Sequence, residues 1–298
     1  MKFSLGPILY YWPKATVVTF YENAASSSAD LIYLGETVCA KRKELLLDDY
    51  LNIAHMLREA GKQVVLSTMT LLESPADIRQ LKRYCDNGDF LVEANDIGAV
   101  GLLAENRLPF VGGSALNCYN AQSLKFLLDQ GMKRWVPTAE IGERWIKKLT
   151  QHPHISSVRN NYEIELFAFG QLPLAWSARC FTARSEQKPK DQCKACCINY
   201  PDGRKVNSQE GETIFVLNGI QTLSGNRYNL INEIVNLHDF IDIIRISPQS
   251  HDTLQWLDLF KKNQHGLAPQ TLPNNDCNGY WHGEAGKDTS TVGTALLP

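Results

Sequence analysis

Short apolar runs alternate with amphipathic stretches along most of this chain, the pattern of βαβ units around a parallel sheet. The runs predict eight strands: Ser4–Tyr10, Leu31–Leu34, Val64–Ser67, Phe90–Ala94, Phe110–Gly112, Trp135–Pro137, Glu163–Phe169 and Ile241–Ile246. Between and after them the spacing predicts helices at Val17–Asn23, Leu47–Ala60, Pro75–Asn87, Asp96–Glu105, Ala121–Gln130, Ile141–Leu149, Asn229–Leu237 and Asp252–Lys261. In the second of these Leu47, Tyr50, Leu51, Ala54 and Leu57 recur at three- and four-residue steps, Asp48 and Asp49 fill the first turn, and Gly61 ends it. Ser74 before Pro75, and Asn120 before Ala121, are placed as N-caps. Eight strand–helix pairs predict an α/β fold, a TIM-like (β/α)8 barrel whose loops after the strands form the working face. An open, doubly wound sheet is the alternative.

The alternation fails once, between Gly170 and about Gly225, where a cysteine-rich insertion follows the seventh strand. It ends in an expected hairpin, Thr213–Val216 with Ile220–Leu223 around Asn218–Gly219. An excursion of that length inside a compact domain is a functional signal. The expected organisation is one barrel domain over residues 1–288, with the insertion at about 170–225, and a flexible tail over 289–298.

Charge and composition narrow the chemistry. The net charge of −2 over 298 residues argues against general binding to nucleic acid or an anionic membrane surface. No run of about 18 apolar residues is present to span a bilayer as a helix, and Met1–Pro7 lacks the pattern of a signal peptide. The reading is a soluble cytoplasmic protein. In that reducing compartment clustered cysteines point to metal or redox chemistry instead of disulfides.

Of the eight cysteines, Cys180, Cys193, Cys196 and Cys197 fall within eighteen residues, and Cys39 stands far upstream, just past the second strand. Cys180 follows the seventh strand after a turn expected through Gly170 and Pro173. In a barrel both would emerge on one face. Lys41, Arg42, Arg179, Arg184, Lys188, Lys190 and Lys194 surround them, and cations stabilise a centre of net negative charge. Zinc favours paired C-x2-C spacings, and Cys193–Cys196 supplies one pair without a second. A [4Fe-4S] cluster tolerates irregular spacing and suits Cys39, Cys180 and Cys193 with either Cys196 or Cys197. Cys85, Cys118 and Cys277 are read as packing residues. Residues at strand ends (Tyr11, Trp12, Glu93, Asn95, Asp96, Asn117, Thr138 and Glu140) are candidates for substrate or partner contact.

Three stretches carry a family resemblance: ELFAFGQLPLAWSARC from Glu165 to Cys180 followed by Cys193 and Cys197, GPILYYWP from Gly6 to Pro13, and CNGYWHG from Cys277 to Gly283. Together they make nearly the whole chain resemble the U32 peptidase-like family, and within it a branch acting in ubiquinone biosynthesis. The resemblance implies a [4Fe-4S] protein that hydroxylates a ubiquinone precursor without O2 under anaerobic conditions, as a heterodimer with the related UbiU. It implies Cys39, Cys180, Cys193 and Cys197 as the cluster ligands and leaves Cys196 out. Proteolysis is not expected, because neither H-E-x-x-H nor G-x-S-x-G occurs. The catalytic residues are unknown at this level. Hydroxylation of RNA, known from other U32 relatives, and a noncatalytic metal-stabilised scaffold are the alternatives.

Overall fold

The computed structural model describes residues 1–266 and 269–290. Eight parallel strands close into a barrel: β1 (Lys2–Leu5), β2 (Leu31–Leu34), β3 (Gln63–Ser67), β4 (Leu91–Ala94), β5 (Phe110–Gly112), β6 (Met132–Trp135), the first half of β7 (Glu163–Trp176), and, after a three-strand annex described below, a last barrel strand at Ile243–Ile246. That last strand pairs with β1 on one side and with β7 on the other, so no edge is left and the open-sheet alternative is excluded.

Helices α1 (Lys14–Ala25), α2 (Leu47–Glu59), α3 (Pro75–Cys85), α4 (Ile97–Glu105), α5 (Ala121–Asp129) and α6 (Glu143–Thr150) cross between successive strands, with a short α7 (Pro153–Ser156) before β7. Their starts follow from local chemistry: the side chain of Ser74 accepts Asp77 N–H at 3.2 Å, Asp96 accepts Gly98 N–H at 2.7 Å, and Asn120 accepts Ser123 N–H at 2.8 Å. On α2 the buried face is Leu47, Tyr50, Ile53, Ala54 and Leu57; Leu51 lies at its margin.

Alternation along the strands sorts the core into two parts. Outward residues such as Phe3, Leu5, Ile32, Leu34, Leu66, Phe110, Trp135 and Ile164 pack beneath the helices. Inside the barrel Tyr33, Val65, Val111 and Val136 form an apolar plug with Leu91 packed against it, and Glu93, Arg134, Glu165 and Arg245 are buried there as well.

Four expectations are corrected. The first strand ends at Leu5, because Gly6 turns and Pro7 cannot donate; Pro7–Trp12 instead crosses the mouth of the barrel as a buried loop. The sixth strand starts three residues and ends two residues earlier than expected, disguised by Lys133, which faces solvent, and Arg134, which points into the barrel. The seventh strand does not turn at Gly170 and Pro173. It runs on to Trp176, with Gly170 at φ +123° and Pro173 at a register shift where no amide is needed. The helix expected at Asn229–Leu237 is a strand end followed by a single 3-10 turn at Ile234–Asn236.

The extended half of β7 carries the annex: β8 (Arg204–Asn207), β9 (Thr213–Asn218) and β10 (Gln221–Asn229) add to it antiparallel in the order β7–β10–β9–β8. The last barrel strand is β11 (Ile243–Ile246), and it leads into α9 (Thr253–Asn263), a two-residue β12 (Asp276–Cys277) on β10, and α10 (Gly279–His282). Of the expected tail, Thr289 and Ser290 hydrogen-bond Asp276 and Asn278, and residues 291–298 lie outside the described residues. Among the described residues no helix is long and apolar enough to cross a membrane.

Candidate functional site

The loop after β2 begins at Gly35, whose φ of +141° and close approach to the Ser67 carbonyl admit no side chain. Glu36 then folds the chain back: its carboxylate accepts Val38 N–H at 2.8 Å and Cys39 N–H at 3.0 Å. This turn presents Cys39 at the strand's C-terminal end and sends Arg42 inward. Arg42 donates to the Leu9 carbonyl at 2.8 Å and to Asn218 Oδ1 at 2.6 Å, lies 3.5 Å from Glu36, and covers the Tyr11 ring.

The insertion reaches the same place from the other side. Cys180 caps the one-turn α8 (Phe181–Ser185), its sulfur accepting Ala183 N–H at 3.4 Å. The Asn218–Gly219 turn clamps that segment: Gly219 O accepts Phe181 N–H and Gly219 N–H donates to Thr182. Lys194 and Ala195 take left-handed conformations, φ +48° and +52°, which bends the chain so that Cys193, Cys196 and Cys197 turn inward together. The Cys193 sulfur accepts Ala195 N–H at 3.4 Å. Lys41 ties the two segments by donating to the Lys190 carbonyl at 2.9 Å and the Asp191 carboxylate at 3.0 Å.

Five thiols are thereby brought within each other's electrostatic reach. Burial pushes the Cys39 thiol up to about 11; the Lys41 amide and the Arg42 guanidinium oppose this. Burial also raises Cys180, against the Ala183 amide, and Cys197, against the charge and hydrogen bonding of Arg42. Cys193 and Cys196 bear on Cys180, and Cys197 on Cys39. Cys196 packs with Cys193 and Ala183. Of the basic side chains around them, Lys190 pairs with Glu73, Lys188 with Glu186 and Lys41 with Asp191. Arg42 is the cation buried against the sulfurs. The other cysteines lie elsewhere: Cys85 at the end of α3, Cys118 after β5 beside Tyr162, and Cys277 on β12.

Among the described residues no three His, Cys, Asp or Glu side chains are grouped so as to hold a single metal ion. Two features match an electron-rich sulfur centre. Backbone N–H groups already point at Cys180 and Cys193, and the buried Arg42 guanidinium lies against Cys197.

Beneath this site the barrel is filled by charge, which sequence reading passed over apart from Glu93. Arg245 donates from Nε to Glu165 at 2.7 Å and from Nη1 to Glu93 at 2.8 Å, and covers the Tyr33 ring at 4.1 Å. Ser4 donates to Glu165 at 2.6 Å, Ser67 to Glu93 at 2.6 Å, and Tyr33 to Glu165. Arg134 bridges Tyr33 and Glu163. Charged residues inside otherwise apolar strands were the available signal. Among the strand-end candidates, Glu93 and Asn95 face the mouth of the barrel. Asp96 caps α4, Glu140 accepts the Tyr119 hydroxyl, and Trp12 donates to the Pro201 carbonyl. Asn117 takes a left-handed turn and Thr138 is buried.

Residues 18–256 match the sequence model described as Peptidase family U32. The chain belongs to this family. Among solved structures it is similar to the U32 peptidase Mk0906, at 12% identity over 84% of this chain and 93% of that one, with a TM-score of 0.45. It is also similar to the spore coat polysaccharide biosynthesis protein SpsE of Bacillus subtilis, at 9% identity over 98% and 75%, TM-score 0.46. An enolase from environmental sequencing of the Sargasso Sea matches at 13% identity over 54% of this chain, which spans 44% of the enolase's length, with a TM-score of 0.38. For this U32 member the fold rests on its own strand pairing.

Proposed function

We propose that this U32 protein is of the UbiV branch: the cluster-bearing subunit of an oxygen-independent ubiquinone-biosynthesis hydroxylase, holding a [4Fe-4S] cluster on Cys39, Cys180, Cys193 and Cys197 and acting with UbiU. The observation that carries the reading is the convergence of thiols from two remote segments on one buried arginine. A cubane takes ligands at irregular spacings, which suits the remote Cys39 with the clustered Cys180, Cys193 and Cys197. Cys196, adjacent to Cys197 and packed on Ala183, is left as a neighbour. When bound, such a cluster supplies one-electron transfer.

The chain's own residues prepare for it. Arg42 offsets part of the negative charge that ligating thiolates bring, and the Ala183 and Ala195 amides donate to sulfur, the kind of interaction that tunes cluster potentials. Thiols raised by burial give up their protons on ligation. Exposed Val206 and Phe215, paired across β8 and β9, offer an apolar surface to UbiU. In cells grown without oxygen, deletion of the gene is expected to abolish ubiquinone and accumulate an unhydroxylated precursor. Normal anaerobic ubiquinone in the deletion strain contradicts the reading.

A further inference from the structure

Cys196 sits among the other insertion cysteines, yet the ligand set proposed above does not use it, and the chain around it is folded into a closed turn. Its N–H donates to the Cys193 carbonyl at 3.0 Å. The two residues between them, Lys194 and Ala195, both have positive φ, +48° and +52°, the pattern of a type I′ turn. Such a turn brings its first and last Cα atoms within about 7 Å, and a disulfide spans roughly 4.4–6.8 Å between Cα atoms. The side chains meet as well, since Cys193 and Cys196 pack in one buried cluster with Ala183. The other thiols are held differently. Cys39 comes from another segment, Cys180 caps α8 with its sulfur on the Ala183 amide, and Cys197 lies against Arg42 and donates to the Ala195 carbonyl at 3.7 Å.

Access limits what can react there. Gln192 and Lys194 are exposed, so the turn lies at the surface, but Cys193 and Cys196 are only 6% and 9% exposed, which admits a small oxidant and not a bulky one. We propose that Cys193 and Cys196 form a peroxide-reactive dithiol. Cys196, which no ligand set occupies, attacks hydrogen peroxide: the O–O bond breaks, an S–O bond forms, and water leaves behind a sulfenic acid. The Cys193 sulfur then displaces that oxygen as a second water, and the S–S bond forms. In sum two thiols lose two electrons and two protons, and one peroxide is reduced to two waters. The pair stands independently of any metal. Its consequence for a cluster rests on the function proposed above: once bonded to Cys196, Cys193 cannot ligate iron, so the disulfide and a fully ligated cluster exclude each other.

The test is peptide mapping by mass spectrometry of the full chain, purified without oxygen, stripped of metal, treated with equimolar hydrogen peroxide and alkylated at the remaining thiols. A disulfide is expected between the peptide that contains Cys193 and the one that contains Cys196 and Cys197. It should be absent in Cys196→Ser, persist in Cys197→Ser, and revert with dithiothreitol. Circular dichroism of both variants should match the parent. No disulfide in the parent, a dominant link through Cys39 or Cys180, or a link that survives Cys196→Ser and disappears in Cys197→Ser overturns the proposal. Because the link is read on metal-free chain, a lack of iron in the purified protein counts against the function proposed above and not against the dithiol. In iron-loaded chain, peroxide is expected to release iron severalfold more slowly from Cys196→Ser than from the parent. Equal rates overturn the coupling between the pair and the cluster.

Discussion

Arg42 holds the Leu9 carbonyl, the Asn218 side chain and the Glu36 carboxylate at once, at the point where the loop after β2 meets the insertion. Replacing it by Ala leaves a buried carboxylate without its counter-charge, and a loss of about 3–5 kcal/mol in denaturant unfolding is expected. Arg42→Lys should recover part of it, since a point charge remains but the fork that reaches two acceptors does not. Within the barrel, burial alone would raise the Glu165 carboxyl, yet Arg245 and Arg134 hold it below the ordinary glutamate value. A depressed folded-state pKa contributes stability that is present above the unfolded value, near 4.3, and is lost as pH falls through the folded one. Unfolding midpoints measured against pH should therefore drop steeply only below about pH 4. Glu165→Gln should flatten that drop and cost about 3 kcal/mol or more at neutral pH. Such residues are hard to read from sequence. Glu165 and Arg245 interrupt apolar strands that look ordinary in a linear pattern, and their partners come from strands up to 161 positions away.

At the scale of elements, local chemistry made the helices legible: the caps at Ser74 and Asn120 and the apolar stripe of α2 need no tertiary information. The strands were placed where both faces are apolar, and misplaced at β6, where one inward position is an arginine. The annex was legible only as a hairpin, because the length of β7 depends on pairing with β10 across a bulge that no local signal announces. Asn229–Leu237 carries helical spacing in Leu230, Ile234 and Leu237, all buried, but the chain turns there instead. Two loop positions test how the cysteine site is shaped. At Gly35 an added Cβ would stand 2.2 Å from the Ser67 carbonyl oxygen at a φ that side chains rarely adopt. Gly35→Ala is expected to cost about 2 kcal/mol or more and to lower bound iron by misplacing Cys39. Ala195→Gly should be neutral or stabilising by up to about 1 kcal/mol, because glycine takes the left-handed bend without strain.

For the whole molecule, the regular alternation of strands and helices foretold a closed barrel, and closure puts the loops after β2 and β7 on one face. That was enough to bring Cys39 and the insertion cysteines to one end of the barrel; which sulfurs face one another depends on the paired left-handed residues Lys194 and Ala195, which sequence does not reveal. The resulting architecture stacks three layers: ion pairs inside the barrel, a polar cavity at its mouth, and thiols around Arg42 beside it. Under the function proposed above, these thiols hold a [4Fe-4S] cluster. Protein purified without oxygen should be brown, with about four irons and four sulfides per chain, and should lose most of both in Cys39→Ala while keeping them in Cys196→Ser. A colourless protein that carries zinc, or iron retained in full by Cys39→Ala, contradicts it.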